Sequence, residues 1–307
     1  MRKRLFILSF YIKLRKDITA TVLKSASKAR QYEPVIRRWG FYMKTEKLYF
    51  GAAYYSEYLP YDRVEKDMEM MEKAGMNVIR IAESTWSTLE PQEGVYDFTH
   101  IDRMLNAAAC HHISVIVGTP TYAVPTWLVK KYPDILAITQ NGRERYGHRQ
   151  NMDITNPDYL SHAERVIRVL MEHVKDVPHV IGYQLDNETK SYGTAGPRVQ
   201  AMFVDYLKEN FPDINDFNHE FGLDYWSNRV NDWDDFPDVR GTINQSLAAE
   251  FCKFQRSLVT KFLSWQADIV REYKRMISLS HKILILTGPH TRSVISPRST
   301  STMPHAA

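Results

Sequence analysis

Cysteine is scarce in this chain. Two in 307 residues, Cys110 and Cys252, lie far apart and at no metal-ligand spacing. That excludes a disulfide framework and points to a reducing compartment, the cytoplasm. Long apolar runs are also missing: Leu5–Ile12 falls far short of the roughly 20 residues a membrane-spanning helix needs. A secretory signal would put basic residues before such a run. Here Lys13, Arg15 and Lys16 interrupt it, and no small-residue cleavage site follows directly. There is no glycine-rich phosphate turn after the first strand, since Gly51-Ala-Ala lies inside that strand, and this argues against a doubly wound nucleotide fold. No solenoid repeat is present.

Acidic residues are scarce at the two ends. Residues 1–42 hold 11 Lys+Arg against 2 Asp+Glu, and residues 276–307 hold 3 Lys+Arg and no acid. The stretch between them has 26 basic and 34 acidic residues, so the formal charge of +4 belongs to the ends. A nucleic-acid reading would rest on those ends alone; neither nucleic acid nor membrane is expected as a partner. Residues 1–42 read as a basic N-terminal extension upstream of a true start at Met43, 43–275 as the folded domain, and 276–307 as a non-native basic tail. The 44% hydrophobic content is enough for a large core.

From Tyr49 onward, strand-like runs alternate with helical periods. Tyr49–Tyr55 reads as a strand rich in aromatic and small residues. Asp62–Ala74 follows, with Val64, Met68, Met71 and Ala74 at helical spacing, Asp62 or the preceding turn at its start and Gly75 at its end. Val78–Glu83 and Ile113–Thr119 are the next strands, with a helix over Thr99–His111 between them; ISVIVGT is apolar enough to be buried on both faces. Pro120–Tyr132 holds a turn and a short helix, and 141–157 reads as an active-site loop. Helices over Tyr159–Lys175 and Arg198–Asn210 flank a fourth strand, Val180–Leu185. Phe211–Asn244 reads as an insertion or long loop, and Ser246–Tyr273 as a long helix with an apolar stripe from Leu247 to Val270. This alternation predicts an α/β fold with a parallel sheet. The best architecture is the first half only of a (β/α)8 TIM barrel, about four strands, incomplete at the C-terminus.

The fourth strand ends in Asp186, Asn187 and Glu188, where a parallel barrel keeps its chemistry. Cleaving a glycoside needs two carboxyl groups: one protonates the leaving oxygen, the other attacks the anomeric carbon or activates water. Glu188 suits the acid role, because a carboxyl at the end of an apolar strand is expected to lose solvation and favour its protonated form. Asn187 beside it can hydrogen-bond a sugar hydroxyl. On spacing alone, Asp-Asn-Glu is equally well read as a polar strand end capping the next helix. Trp86 and Trp127 suit either stacking on a sugar or plugging the core. Glu83 suits substrate binding, ordering of Arg149, or a buried structural ion pair.

Tyr183-Gln-Leu-Asp-Asn-Glu, Gly51-Ala-Ala-Tyr-Tyr-Ser-Glu, Ile81-Ala-Glu-Ser-Thr-Trp-Ser-Thr-Leu-Glu-Pro, Gly118-Thr-Pro-Thr and Pro125-Thr-Trp-Leu stand out among the strand-end segments. Together they make residues from about Met43 to Arg275 resemble glycoside hydrolase family 42, the bacterial-type β-galactosidases. The resemblance implies retaining hydrolysis of terminal β-galactosides in a TIM barrel. It makes Glu188 the catalytic acid/base, Asn187 the neighbouring substrate-binding amide, and Arg149 of Gly147-His-Arg the substrate-contacting arginine. β-Galactoside sugars are then the partners and no cofactor is needed; a homotrimer is what the likeness implies for the full-length family.

Two departures stand out. Some members carry a zinc-binding cysteine cluster just after the acid/base. Here Thr189-Lys-Ser-Tyr-Gly-Thr-Ala-Gly-Pro contains no cysteine, so no metal is expected. The family's nucleophile is a glutamate on a late strand, beyond the end of this chain. After Arg275 the sequence turns rich in Ser, Thr, Pro and His. Codons can be chosen for Arg275–Gly288 that in a shifted frame spell Asp-Asp-Gln-Phe-Ile-Thr-Gln-Asn-Phe-Asp-Phe-Asp-Trp, a plausible barrel continuation, so the tail is expected to be out of frame. Besides an active enzyme, the sequence is compatible with an inert fragment, a carbohydrate-binding remnant or a related exo-glycosidase.

Overall fold

The computed structural model describes residues 48–59, 62–147, 151–191, 193–241 and 244–274. The expected N-terminal extension, the expected tail and Arg149 lie outside the described residues. The described residues divide into two units: those up to 81 with 101–116, and 82–100 with those from 117 onward.

In the first unit, β1 (Gly51–Ala53) is followed by helix α1 (Val64–Lys73) and β2 (Val78–Ile81). β1 and β2 pair in parallel, Gly51 opposite Val78 and Ala53 opposite Arg80. Val64 and Met68 of α1 are buried, and Asp67 is held by the Tyr54 hydroxyl, which donates to Oδ2 at 3.0 Å. Gly75 ends α1 at φ +76°, the left-handed conformation in which a side chain would be strained. The single turn α2 (Trp86–Leu89) belongs to the second unit, and α3 begins at its edge, spanning Thr99–Cys110. α3 turns Ile101, Met104, Leu105, Ala107 and Ala108 inward. β3 (Ser114–Gly118) crosses from the first unit into the second.

In the second unit, α4 (Thr126–Lys131) leads to a small antiparallel hairpin of β4 (Ile138–Thr139) and β5 (Gly142–Arg143), so the stretch expected to be only a loop after residue 141 begins with a strand. α5 (Pro157–Val174) starts where a sequence rule puts it. Pro157 sits at its first position, and Asn156 Oδ1 accepts from the Asp158 and Tyr159 N–H groups at 2.9 and 3.1 Å. Ala163, Val166, Ile167 and Leu170 form its fully buried face. β6 (Val180–Gln184) and α6 (Pro197–Asn210) follow.

The stretch 211–244, expected to be irregular, contains helix α7 (Ile214–Glu220) and two 3-10 turns. Its many Asp and Asn residues act as caps and staples. Asp213 Oδ1 accepts from Asn215 N–H at 2.8 Å, and Asn218 bonds both the N–H and the carbonyl of Val230. Phe217, fully buried, packs against Phe211, Phe221, Trp233 and Phe236. The long helix α8 (Gln245–Lys274) carries the expected apolar stripe, with one fully buried polar residue in it, Gln266.

The sheet has four parallel strands in the order β1-β2-β3-β6, with helices between them, which is the arrangement of a partial α/β barrel. No helix among the described residues is long and apolar enough to cross a membrane.

Candidate active site

Strand ends belonging to the second unit gather the candidate chemistry. Residue 82 follows β2, and its backbone is already unusual: Ala82 has φ 82°. The next residue, Glu83, is fully buried. Gly118 at the end of β3 makes room for it, since a Cβ there would lie 2.5 Å from Glu83 Cβ. At the end of β6, Asp186 and Glu188 both adopt left-handed backbone, φ 50° and 49°. Such conformations cost a non-glycine residue roughly 1 kcal/mol or more, and persist only where the surroundings enforce them.

The enforcement comes from a closed ring of hydrogen bonds. The Asp186 N–H donates to Thr119 Oγ1 at 2.7 Å, and the Thr119 hydroxyl donates to Gln266 Oε1 at 2.6 Å. Gln266 Nε2 donates to Thr121 Oγ1 at 3.1 Å, and the Thr121 hydroxyl returns to Asp186 Oδ1 at 2.7 Å. The backbone N–H fixes the direction of the first bond, since it can only donate. Outside the ring, the Thr189 hydroxyl donates to Asp186 Oδ2 at 2.6 Å. Burial pushes the Asp186 carboxyl up to about 6, against the downward pull of the Thr189 and Thr121 hydroxyls and the Asn187 N–H.

A second network locks the loop after β2. Glu90, fully buried, accepts from Trp86 Nε1 at 2.8 Å, from Gly94 N–H at 2.7 Å and from Arg165 at 2.5 Å. Its backbone carbonyl accepts from Trp127 Nε1 at 2.9 Å.

Residues 53–292 match the family model Glyco_hydro_42, described as beta-galactosidase. The chain belongs to the Glyco_hydro_42 family. Beta-galactosidase BgaA of Thermus sp is 30% identical over 241 residues, covering 76% of this chain and 37% of the relative. Beta-galactosidase bgaB of Geobacillus kaustophilus is 29% identical, covering 75% and 35%. Among solved structures, the cold-adapted beta-galactosidase from Rahnella sp. R3 superposes with a TM-score of 0.71 at 28% identity, over 79% of this chain and 36% of that one. The beta-galactosidase from Marinomonas ef1 gives 0.69 at 27%, over 78% and 37%. The chain thus spans about a third of the length of the relatives it matches.

Within this Glyco_hydro_42 chain the residues expected from sequence fall unevenly. Asn187 is half-buried and adjoins Asp186, but Glu188 is exposed. The desolvation expected for Glu188 is therefore corrected: the buried carboxyl of this strand end is Asp186, because the left-handed turn carries the chain out of the core before Glu188 is reached. Trp86 is fully buried and is a core residue, not a stacking platform; Trp127 is half-buried. A cavity of about 440 Å³ is lined by residues including Gln140, Asn141, Glu144, Cys252 and Gln255, and neither Asn187 nor Glu188 lines it. Among the described residues no group of His, Cys, Asp and Glu is arranged to hold a metal ion. Sequence reasoning missed the ring of Thr119, Thr121, Asp186 and Gln266. The one available signal was a glutamine buried on the largely apolar face of α8.

Proposed function

We propose that Glu188 donates the proton to the leaving oxygen of a terminal β-galactoside, cleaved by a retaining route, with Asn187 hydrogen-bonding the sugar. What supports the reading is the position of Asn187 and Glu188 directly after a buried, hydrogen-bonded anchor at the C-terminal end of a parallel strand. Membership of a family whose relatives are named beta-galactosidases supplies the sugar. In this reading Arg149 contacts substrate, Glu83 supports the same cleft, and the nucleophile is a carboxylate outside residues 48–274. Cys110 and Cys252, both free and exposed, fit a reducing cytoplasm.

The exposure of Glu188 favours a second reading, sugar binding without turnover, since proton transfer to a glycosidic oxygen profits from exclusion of water. Titrating the chain with D-galactose and assaying glucose release from lactose with sodium formate as an external nucleophile in place of the missing carboxylate, with wild type, Glu188→Gln and Asn187→Ala, separates the two. Hydrolysis reduced about 10²-fold or more in Glu188→Gln supports the proton donor. Galactose binding without hydrolysis, weakened by Asn187→Ala, supports the second. Hydrolysis unchanged in Glu188→Gln overturns the first, and a folded chain that binds no galactose overturns both.

A further inference from the structure

Gln184 is the last residue of β6 and is almost wholly buried. Its side chain reaches over the turn that follows. Nε2 lies 2.7 Å from the carbonyl oxygen of Asp186 and 3.3 Å from the amide oxygen of Asn187. The identity of these atoms is decided by chemistry: a backbone carbonyl can only accept, so the end of Gln184 that faces it must be the NH2 group. The same NH2 group then faces Asn187, whose amide must turn its oxygen inward. The Asn187 NH2 group is left on the opposite side, and among the described residues it has no partner.

We propose that Gln184 is a positioning residue which fixes the amide of Asn187 with its NH2 group outward, so that Asn187 meets the sugar only as a donor and the sugar oxygen it meets acts as acceptor. This rests on the reading of Asn187 as the sugar-binding amide. The ring through Thr119, Gln266 and Thr121 holds the Asp186 carbonyl where Gln184 needs it, because the same residue's N–H and carboxylate are both tied. The orientation is thus set before any ligand arrives. Holding a polar contact group in one orientation spares the ligand the cost of ordering it.

Gln184→Glu tests the idea with almost no change of shape. Measured at about pH 9, above the range to which burial raises a carboxyl, the side chain at that position can only accept, so it would draw the Asn187 NH2 group inward and present oxygen to the sugar. The dissociation constant for D-galactose is expected to rise about tenfold, the weight of one well-placed hydrogen bond. In an Asn187→Ala background the same substitution should change it less than about twofold. If Asn187→Ala weakens binding but Gln184→Glu does not, Gln184 has no positioning role and the sugar-binding reading survives. If Asn187→Ala leaves binding unchanged, the sugar-binding reading itself fails and this proposal with it. Should Gln184→Glu not fold, side-chain amide NMR of the wild-type chain answers the same question. The Gln184 NH2 protons should exchange slowly, and the Asn187 NH2 protons should exchange fast and shift on adding galactose. The reverse pattern overturns the proposal.

Discussion

The hydroxyl of Thr121 donates to Asp186 Oδ1 at 2.7 Å while its oxygen accepts from Gln266 Nε2 at 3.1 Å, so one threonine joins the end of β6 to α8, 145 residues from Gln266 in sequence. Thr121 is fully buried. Thr121→Val keeps the shape of the side chain and removes the hydroxyl, leaving a buried amide donor without its acceptor and a buried carboxylate without one of its donors. A loss of about 2 to 3 kcal/mol is expected. Because that hydroxyl pulls the Asp186 carboxyl down, its removal should also raise the pH at which Asp186 titrates. Urea unfolding measures the first effect and carboxyl ¹³C NMR the second; a variant within the ~0.5 kcal/mol scatter of neutral substitutions would show that the ring carries no weight.

Asp186 itself should give the fold a definite pH dependence. In the folded chain it keeps its proton up to about pH 6, whereas its ordinary value is 3.8. A raised value means that stability is fully present below 3.8 and is lost as pH rises from there through about 6, since ionising the buried group then costs about 3 kcal/mol. Asp186→Asn cannot ionise. Whatever fixed cost the amide adds, the variant should gain about 2.5 kcal/mol relative to wild type between about pH 4 and pH 7. Urea midpoints at the two pH values test this, and a difference that stays flat with pH would refute it.

Much of this architecture is legible in the residues, and the exceptions have physical causes. The strands of Val78, Ser114 and Val180 are readable because they are short, apolar and flanked by helical periods. Helix α7 is not, because Asp213 and Asn218, which cap and staple it, are the residue types that also make loops. The order Asp186-Asn187-Glu188 locates the strand end, but which carboxyl is buried depends on positive φ at 186 and 188, and neither residue type demands that conformation. The ring is hidden for a different reason. Thr119 and Gln266 stand 147 positions apart, and no local pattern pairs a strand-end hydroxyl with one amide on a long helix.

Gly118 illustrates a glycine kept for space. An alanine there would put its Cβ 2.5 Å from Glu83 Cβ and 2.9 Å from Glu83 Cα, contacts that force the backbone to move. Gly118→Ala should cost about 3 kcal/mol. Gly147→Ala is the control: among the described residues nothing lies within 4 Å of a Cβ there, and the change should stay within about 0.5 kcal/mol. Thermal unfolding of both variants provides the comparison, and equal midpoints would mean that Glu83 yields easily.

Glu90 is the strictest case, because no neutral residue satisfies its neighbours. Oε1 accepts from the Gly94 N–H and Arg165, and Oε2 accepts from Trp86 Nε1. A glutamine at this position would own one oxygen. If that oxygen serves Gly94 and Arg165, the NH2 group confronts the Trp86 N–H, donor against donor; if it serves Trp86, two donors are stranded, one of them cationic. Side-chain volume is unchanged, so packing cannot explain a loss. Glu90→Gln is therefore expected to cost about 2 kcal/mol, the penalty of a buried donor left without its acceptor, since Arg165 is half-exposed. Indole fluorescence during urea unfolding reads the midpoint and the environment of Trp86 together. A variant that unfolds with the wild type, its fluorescence unchanged, would mean that water reaches this carboxylate after all, whereas an earlier midpoint with an altered native spectrum places the lost bond at the indole.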